Sequence, residues 1–128
     1  MRAVDTNVLV RLLARDDVTQ TAIAEAFVAK GAWISHVVLV ETTWVLSSVY
    51  ARNVPQIADA IALLIEHEAL VLQDPDVVAL ALAQLRQKPA IGFSDCLILE
   101  IARKAGHLPL GSFDRSLGRL EGAQTLKS

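Results

Sequence analysis

Leu70-Val71-Leu72-Gln73-Asp74-Pro75-Asp76-Val77-Val78 is the stretch that organises the chain. Leu70 to Leu72 reads as a short strand bounded by polar residues. Asp74 then offers a capping carboxylate, and Pro75 the fixed φ of a first helical position. Strand and helix start therefore lie within a few residues of each other, and the helical pattern carries on to about Gln87. Working upstream, Asn53 with Pro55 and Gln56 opens a helix to about Glu68, and Ser35 caps another from His36 to about Ala51. Trp33 to Ile34 is a candidate strand after Gly31, which closes a helix running from the Asp17 and Gln20 capping pair to about Ala29. Met1 to Val4 reads as a strand and Asn7 to Ala14 as a helix, with Val8, Leu9, Leu12 and Leu13 on one side. Downstream, Gly92 or Ser94 starts a helix that ends at Gly106, followed by candidate strands at Leu108 to Leu110 and Gln124 to Leu126.

Strands alternating with helices predict an α/β fold, a mainly parallel sheet with helices on both faces. The hydrophobic signal is continuous from Met1 to about Leu126 with no repeat, linker or low-complexity tract, so a single domain over 1–128 is expected. In such folds ligands bind beyond the carboxyl ends of the strands, which directs attention to the residues just after each one.

Composition narrows the function classes. The 128 residues are 53% hydrophobic and 20% charged, which excludes a wholly disordered chain. The net charge of -2 excludes a strongly basic nucleic-acid binder. A polyanionic partner would need neutralisation by something else, most simply a metal ion. The lone Cys96 excludes an intrachain disulfide and a cysteine-based zinc cluster, and fits a reducing compartment. Gly31 to Ala51 is uncharged except for Glu41 and long enough to raise a membrane span, but Glu41, His36 and the run of Ser and Thr oppose one. Asp5 and Arg11 interrupt any signal-peptide core. A soluble, cytoplasmic protein with no membrane association is expected.

Four acids stand out. Asp5 follows the first strand and Asp114 the Leu108 to Leu110 strand, so both project at the carboxyl edge of the sheet. Asp95 lies in the first turn of a helix, and Glu41 lies on a helix with Val37, Val38, Trp44 and Val45 on its own side. Each has an ordinary alternative: a cap for Asp5, dipole compensation for Asp95, a turn start for Asp114, and an ion pair with Arg11 for Glu41. Read together, converging carboxylates repel and need a cation, and oxygen-only ligands suit Mg²⁺ or Mn²⁺. Carboxylate-held Mg²⁺ keeps open positions suited to phosphodiester hydrolysis. Arg11 and Arg115 are placed near this edge and serve either as phosphate contacts or as ordinary ion-pair partners, with Arg15 and Arg119 as further cations of interest.

Four segments carry a resemblance over nearly the whole length: Val4-Asp5-Thr6-Asn7-Val8-Leu9, Val40-Glu41-Thr42-Thr43-Trp44-Val45-Leu46, Phe93-Ser94-Asp95-Cys96-Leu97-Ile98 and Ser112-Phe113-Asp114-Arg115. In that order the chain resembles the PIN-domain ribonucleases, specifically the VapC toxins of bacterial toxin–antitoxin pairs. The resemblance implies an α/β/α sandwich and an Mg²⁺-dependent endoribonuclease whose catalytic and metal-binding quartet is Asp5, Glu41, Asp95 and Asp114. It also implies supporting roles for Asn7 and Ser112, an RNA substrate and a cognate VapB-like antitoxin. Many such toxins carry an acid three residues before the third catalytic Asp, where this chain has Gly92.

The remaining candidates are weaker. His36, His67 and His107 share no ligand spacing, and Cys96 reads as a small core residue. The His36 to Ala51 helix and the next one, with Ile57, Ile61, Leu64 and Ile65, are apolar on more than one face. A homodimer contact, an antitoxin groove or simple burial accounts for that. Two alternatives to the toxin remain: a haloacid-dehalogenase-like phosphatase built on Asp5-Thr6-Asn7, and a PIN-like interaction module without catalysis.

Overall fold

The computed structural model describes residues 1–127 and divides the chain into two compact units, Met1–Pro75 and Asp76–Ser128. The first contains β1 (Arg2–Ala3), α1 (Thr6–Ala14), α2 (Val18–Val28), β2 (Ala32–Ile34), α3 (His36–Ser48), α4 (Val54–Glu66) and β3 (Leu70–Leu72). Its strands pair in the order β1-β2-β3, all parallel, with Ala32 opposite both Arg2 and Leu70. Parallel pairing is what strand–helix alternation requires, because each return to the sheet passes through a helix. Leu9, Ile34, Leu39, Leu46 and Ile61 are fully buried in this half of the chain.

Side chains at the helix starts explain where these helices begin. Asp17 Oδ1 accepts the Gln20 N–H at 2.9 Å, and Ser35 Oγ accepts the Val38 N–H at 3.2 Å. At α4 the box is complete: Asn53 Oδ1 accepts from the Gln56 N–H and Gln56 Oε1 from the Asn53 N–H, both at 2.9 Å. Each such cap is worth about 1 kcal/mol.

The second unit contains α6 (Phe93–Ala105), β4 (Leu110–Ser112), α7 (Arg115–Gly118) and β5 (Ala123–Thr125), and it includes all of α5 (Pro75–Gln87) except Pro75. β4 and β5 pair in parallel, with Leu110 opposite Ala123. Leu99, Leu117 and Leu120 form its buried cluster, with Ile91, Leu110 and Ala123 packed against them. A Cβ at Gly118 would run into the side chain and backbone of Thr125, so glycine lets α7 lie directly against β5.

The α/β class and the parallel pairing agree with the sequence reading. Three local differences have physical causes. The fourth strand starts at Leu110 instead of Leu108, because Pro109 has no N–H to give a ladder. Asp74 precedes α5 with φ of 40°, in the left-handed region, instead of the extended backbone of an ordinary cap. The short helix α7 occupies residues read only as a turn start at Asp114. Among the described residues no helix is long and apolar enough to cross a membrane.

Candidate active site

Asp5 stands at the end of the first strand: the Val4 N–H still donates to the Trp33 carbonyl at 3.2 Å, and α1 begins at Thr6. Asp5 Oδ1 accepts the Val8 N–H at 3.2 Å. Asp114 repeats the arrangement in the other unit, two residues beyond β4. Its Oδ1 accepts the Ser116 and Leu117 N–H groups at 2.8 and 3.0 Å, while its own N–H donates to Ser112 Oγ at 3.0 Å. The capping alternative is thus real for Asp5, and Asp114, read as a turn start, caps α7 as well. A carboxylate has more acceptor sites than a cap uses. In both residues the described bonds occupy Oδ1 alone and leave Oδ2 available, its direction fixed by the cap.

Asp95 is half-buried in the first turn of α6 and is pushed above the usual carboxylate range, first by burial and then by the charge of Asp114. Within this unit the charge of Asp114 thus acts on Asp95. Gly92 caps α6 at φ of 86° and ψ of 155°, a backbone conformation that L side chains rarely adopt. The departure from the toxin pattern at this position thus has a backbone cause. Cys96, next to Asp95, is buried with its thiol raised to about 11, first by desolvation, so it is a core residue and no nucleophile.

Glu41 corrects the sequence reading. The sequence reading places it on an apolar side of α3, where an unpaired charge is costly unless that side meets water. It is exposed, with Val37 at 68% and Trp44 at 67% beside it, while Val38 and Val45 are half-buried. Apolar spacing alone did not reveal that this stripe faces outward. The suggested ion pair between Glu41 and Arg11 is not formed either. Arg11 Nη1 donates to Asp16 Oδ1 at 2.7 Å and to the Tyr50 hydroxyl at 3.2 Å, and that hydroxyl donates to Asp16 Oδ2 at 2.9 Å. Tyr50 thereby bridges the acid and the base, and Asp16 is held below its usual range, chiefly by the Tyr50 hydrogen bond. Arg11 still borders Asp5 and the exposed Asn7 along a cavity of about 460 Å³ closed by Ile23 and Phe27.

Among the histidines, His36 is tied to Gln73 through both its N–H and its ring, and His67 caps a turn by accepting the Ala69 N–H. Buried Glu100 is paired by Arg103 at 3.1 Å, which also donates to the Glu121 carbonyl. The sequence reading passed over a cavity of about 670 Å³ between Phe113, Arg115, Arg119 and Lys127. Arg115 and Arg119, already singled out as cations, and Phe113 beside Asp114 are the sequence signals that point toward it.

Among the described residues no group of three or more His, Cys, Asp or Glu side chains is gathered to hold a metal ion. Mg²⁺ does not demand such a cage, since it is usually held by one or two carboxylates and keeps several waters. The Asp95 and Asp114 pair fits that requirement: both donors are oxygens, Asp114 Oδ2 is available, and their mutual repulsion is what a cation removes.

The PIN domain family model matches residues 2–123 of the chain. The match spans all four acid-bearing segments, including Asp5-Thr6-Asn7, on which the phosphatase alternative rested. No curated protein and no solved structure matched the chain.

Proposed function

The chain belongs to the PIN-domain family, whose members are generally nucleases that use divalent metal ions, and from that premise we propose that it is an endoribonuclease acting with Mg²⁺ or Mn²⁺. The observation that carries the reading is the pair of like-charged acids, Asp95 raised by burial and by Asp114, with Asp114 Oδ2 held available by its cap. Such a pair is disfavoured in isolation and becomes favourable when a cation binds.

In this reading one PIN domain spans 1–128, and Asp5, Glu41, Asp95 and Asp114 are the metal-binding and catalytic acids. The ion, when bound, supplies a nucleophilic water and offsets charge on the phosphate. The chain's own residues do the positioning. The α1 and α7 caps fix the Asp5 and Asp114 carboxylates and Ser112 holds the Asp114 backbone, and this reading assigns the support of Asp5 to Asn7, which lines the same cavity. Arg115 and Arg11 serve as phosphate contacts; Arg115 is the more available of the two, since Arg11 is already engaged by Asp16 and Tyr50.

We further propose a VapC-like toxin role in the cytoplasm, with neutralisation by a VapB-like antitoxin and a homodimeric state. Support comes from apolar side chains left in water on the first unit: Val37 and Trp44 on α3, Val49 just after it, and Leu63 on α4. The nuclease reading is tested by incubating pure protein with RNA and Mg²⁺, with and without EDTA. Cleavage that EDTA abolishes is expected; no cleavage with either metal would leave the inactive interaction module as the better description. Copurified protein identified by mass spectrometry, and light scattering at micromolar concentration, test the antitoxin and the dimer.

A further inference from the structure

Three cations of the second unit are gathered on one cavity. Arg11, Arg15, Arg103 and Lys104 each pair with an acid, and Arg2 lies over the Phe27 ring. Arg115, Arg119 and Lys127 have neither an ion pair nor a side-chain hydrogen bond among the described residues, and all three line one cavity of about 670 Å³. A net charge of -2 makes that concentration of unpaired positive charge a local feature. Arg119 also borders a second cavity of about 190 Å³, together with Lys88. The basic surface thus continues from Lys127 past Arg119 to Lys88.

The same cavity has an aromatic wall. Phe113 is 69% exposed and offers an open ring face to the cavity it lines with the cations. It is flanked by Ser112, which holds the Asp114 N–H, and by Asp114 itself, whose cap on α7 fixes the backbone on its other side. Its position relative to Asp114 is therefore set by the backbone on both sides. Leu126 lies in the same lining.

Unpaired cations that follow a groove and an exposed ring within it are the two components of single-strand recognition: the cations take phosphates and the ring takes the face of an unstacked base. A duplex offers the phosphates but no free base face. An acidic protein partner would satisfy the cations but gives no reason for a bare ring beside a carboxylate pair. We propose that Phe113, Arg115, Arg119 and Lys127 form a track for single-stranded RNA, with a base stacked on Phe113 next to the scissile phosphate and the following phosphates held by the three cations. This rests on the nuclease reading for the position of the scissile bond and adds to it the residues of this chain that hold the strand, with Phe113 as the stacking platform. Because stacking accepts any base face, the track selects unpaired RNA without specifying a base.

Binding of a fluorescently labelled single-stranded RNA oligonucleotide to the full chain, measured by anisotropy in EDTA, reads the track without the chemistry. Phe113→Ala should weaken binding roughly tenfold, and Phe113→Trp should retain it. The logarithmic salt dependence of the wild type should have a slope of about -2 for three phosphate contacts, and Arg119→Ala should reduce its magnitude by about 0.7. In Mg²⁺ the same variants should raise KM far more than they lower kcat. Melting temperatures check that the substituted proteins fold, as the exposure of these side chains leads one to expect. Wild-type affinity and salt slope in both Phe113→Ala and Arg119→Ala would overturn the track, as would equal affinity for a blunt RNA duplex. Intact binding without Mg²⁺-dependent cleavage would instead count against the nuclease and leave the track standing.

Discussion

Two acids in this molecule illustrate opposite uses of a carboxylate. Asp16, in the first unit, is enclosed by donors: Arg11 at one oxygen, the Tyr50 hydroxyl at the other, and its ionised form is favoured. Asp95, in the second, is half-buried with another acid as its electrostatic neighbour, and its ionised form is disfavoured. The first arrangement is complete by itself and joins the loop after α1 to the residue two beyond the end of α3. The second is incomplete, and an incomplete charge arrangement at a sheet edge is a mark of function. Acidity alone does not separate these residues; their partners do.

The largest expected effect follows from that difference. Asp95→Asn should lower RNA cleavage by on the order of 100-fold or more, as when a catalytic metal is misplaced. Tyr50→Phe, which opens the complete arrangement, should leave cleavage within a few-fold of wild type. Comparable losses in both variants, measured as initial rates on one RNA, would erase the distinction between the two regions.

Metal binding should separate them next. An ion that binds the folded chain stabilises it by mass action, about 2.7 kcal/mol at 100 times its Kd. Thermal melting in EDTA and in Mg²⁺ should show an upward shift in the wild type and in Tyr50→Phe, and little shift in Asp95→Asn. Equal shifts in all three would place the ion elsewhere.

How far the sequence foretold this depends on whether the signal is local. Strand, cap and helix start are neighbours in sequence, so Leu70 to Leu72, the Asn53 box and the Pro75 to Gln87 helix are legible residue by residue. Asp5 is legible as cap and candidate ligand and Asp114 as turn start and candidate ligand, and both cap with one oxygen while the other stays available. The orientation of a helix face is not local. Glu41 lies with Val37 and Trp44 at helical spacing, yet which side of α3 meets solvent is set by its packing, on α1 and α4 among others. The Arg11 to Asp16 to Tyr50 arrangement needed residues 39 apart to meet, and no spacing rule foretells that. The basic cavity likewise forms only when β5 returns alongside β4 and brings Lys127 toward Arg115.

A smaller effect is expected at Ser112, whose hydroxyl accepts the Asp114 N–H at 3.0 Å. Ser112→Ala removes one hydrogen bond, about 1 kcal/mol of stability. It also loosens the backbone that carries Asp114, so cleavage should fall several-fold with KM nearly unchanged. Ser112→Thr keeps the hydroxyl and should restore the rate. If the alanine variant loses stability but no activity, Ser112 serves the fold and not the site.

The smallest effect is in pH dependence without metal, because Asp16 and Arg11 are screened by solvent and Asp95 is only half-buried. The signs nevertheless differ. Asp16 has a lowered folded-state pKa, so its contribution is present above the unfolded value, about 3.9, and is lost as pH falls through the folded one. Asp95 has a raised one, so its contribution is present below the unfolded value and is lost as pH rises through the folded one. In EDTA at neutral pH, Tyr50→Phe should therefore melt below the wild type, and Asp95→Asn above it. The Asp95 difference should vanish toward pH 3, where that carboxyl is protonated in both states, and the Asp16 difference should only diminish there, because its folded-state pKa lies below the unfolded one. The measurement is a melting series from pH 3 to 7. Should Asp95→Asn melt lower than the wild type at neutral pH in EDTA, the Asp95 carboxylate stabilises the apo fold. The two regions would then use their acids in the same way, and the case for a cation at the second would lose its physical basis.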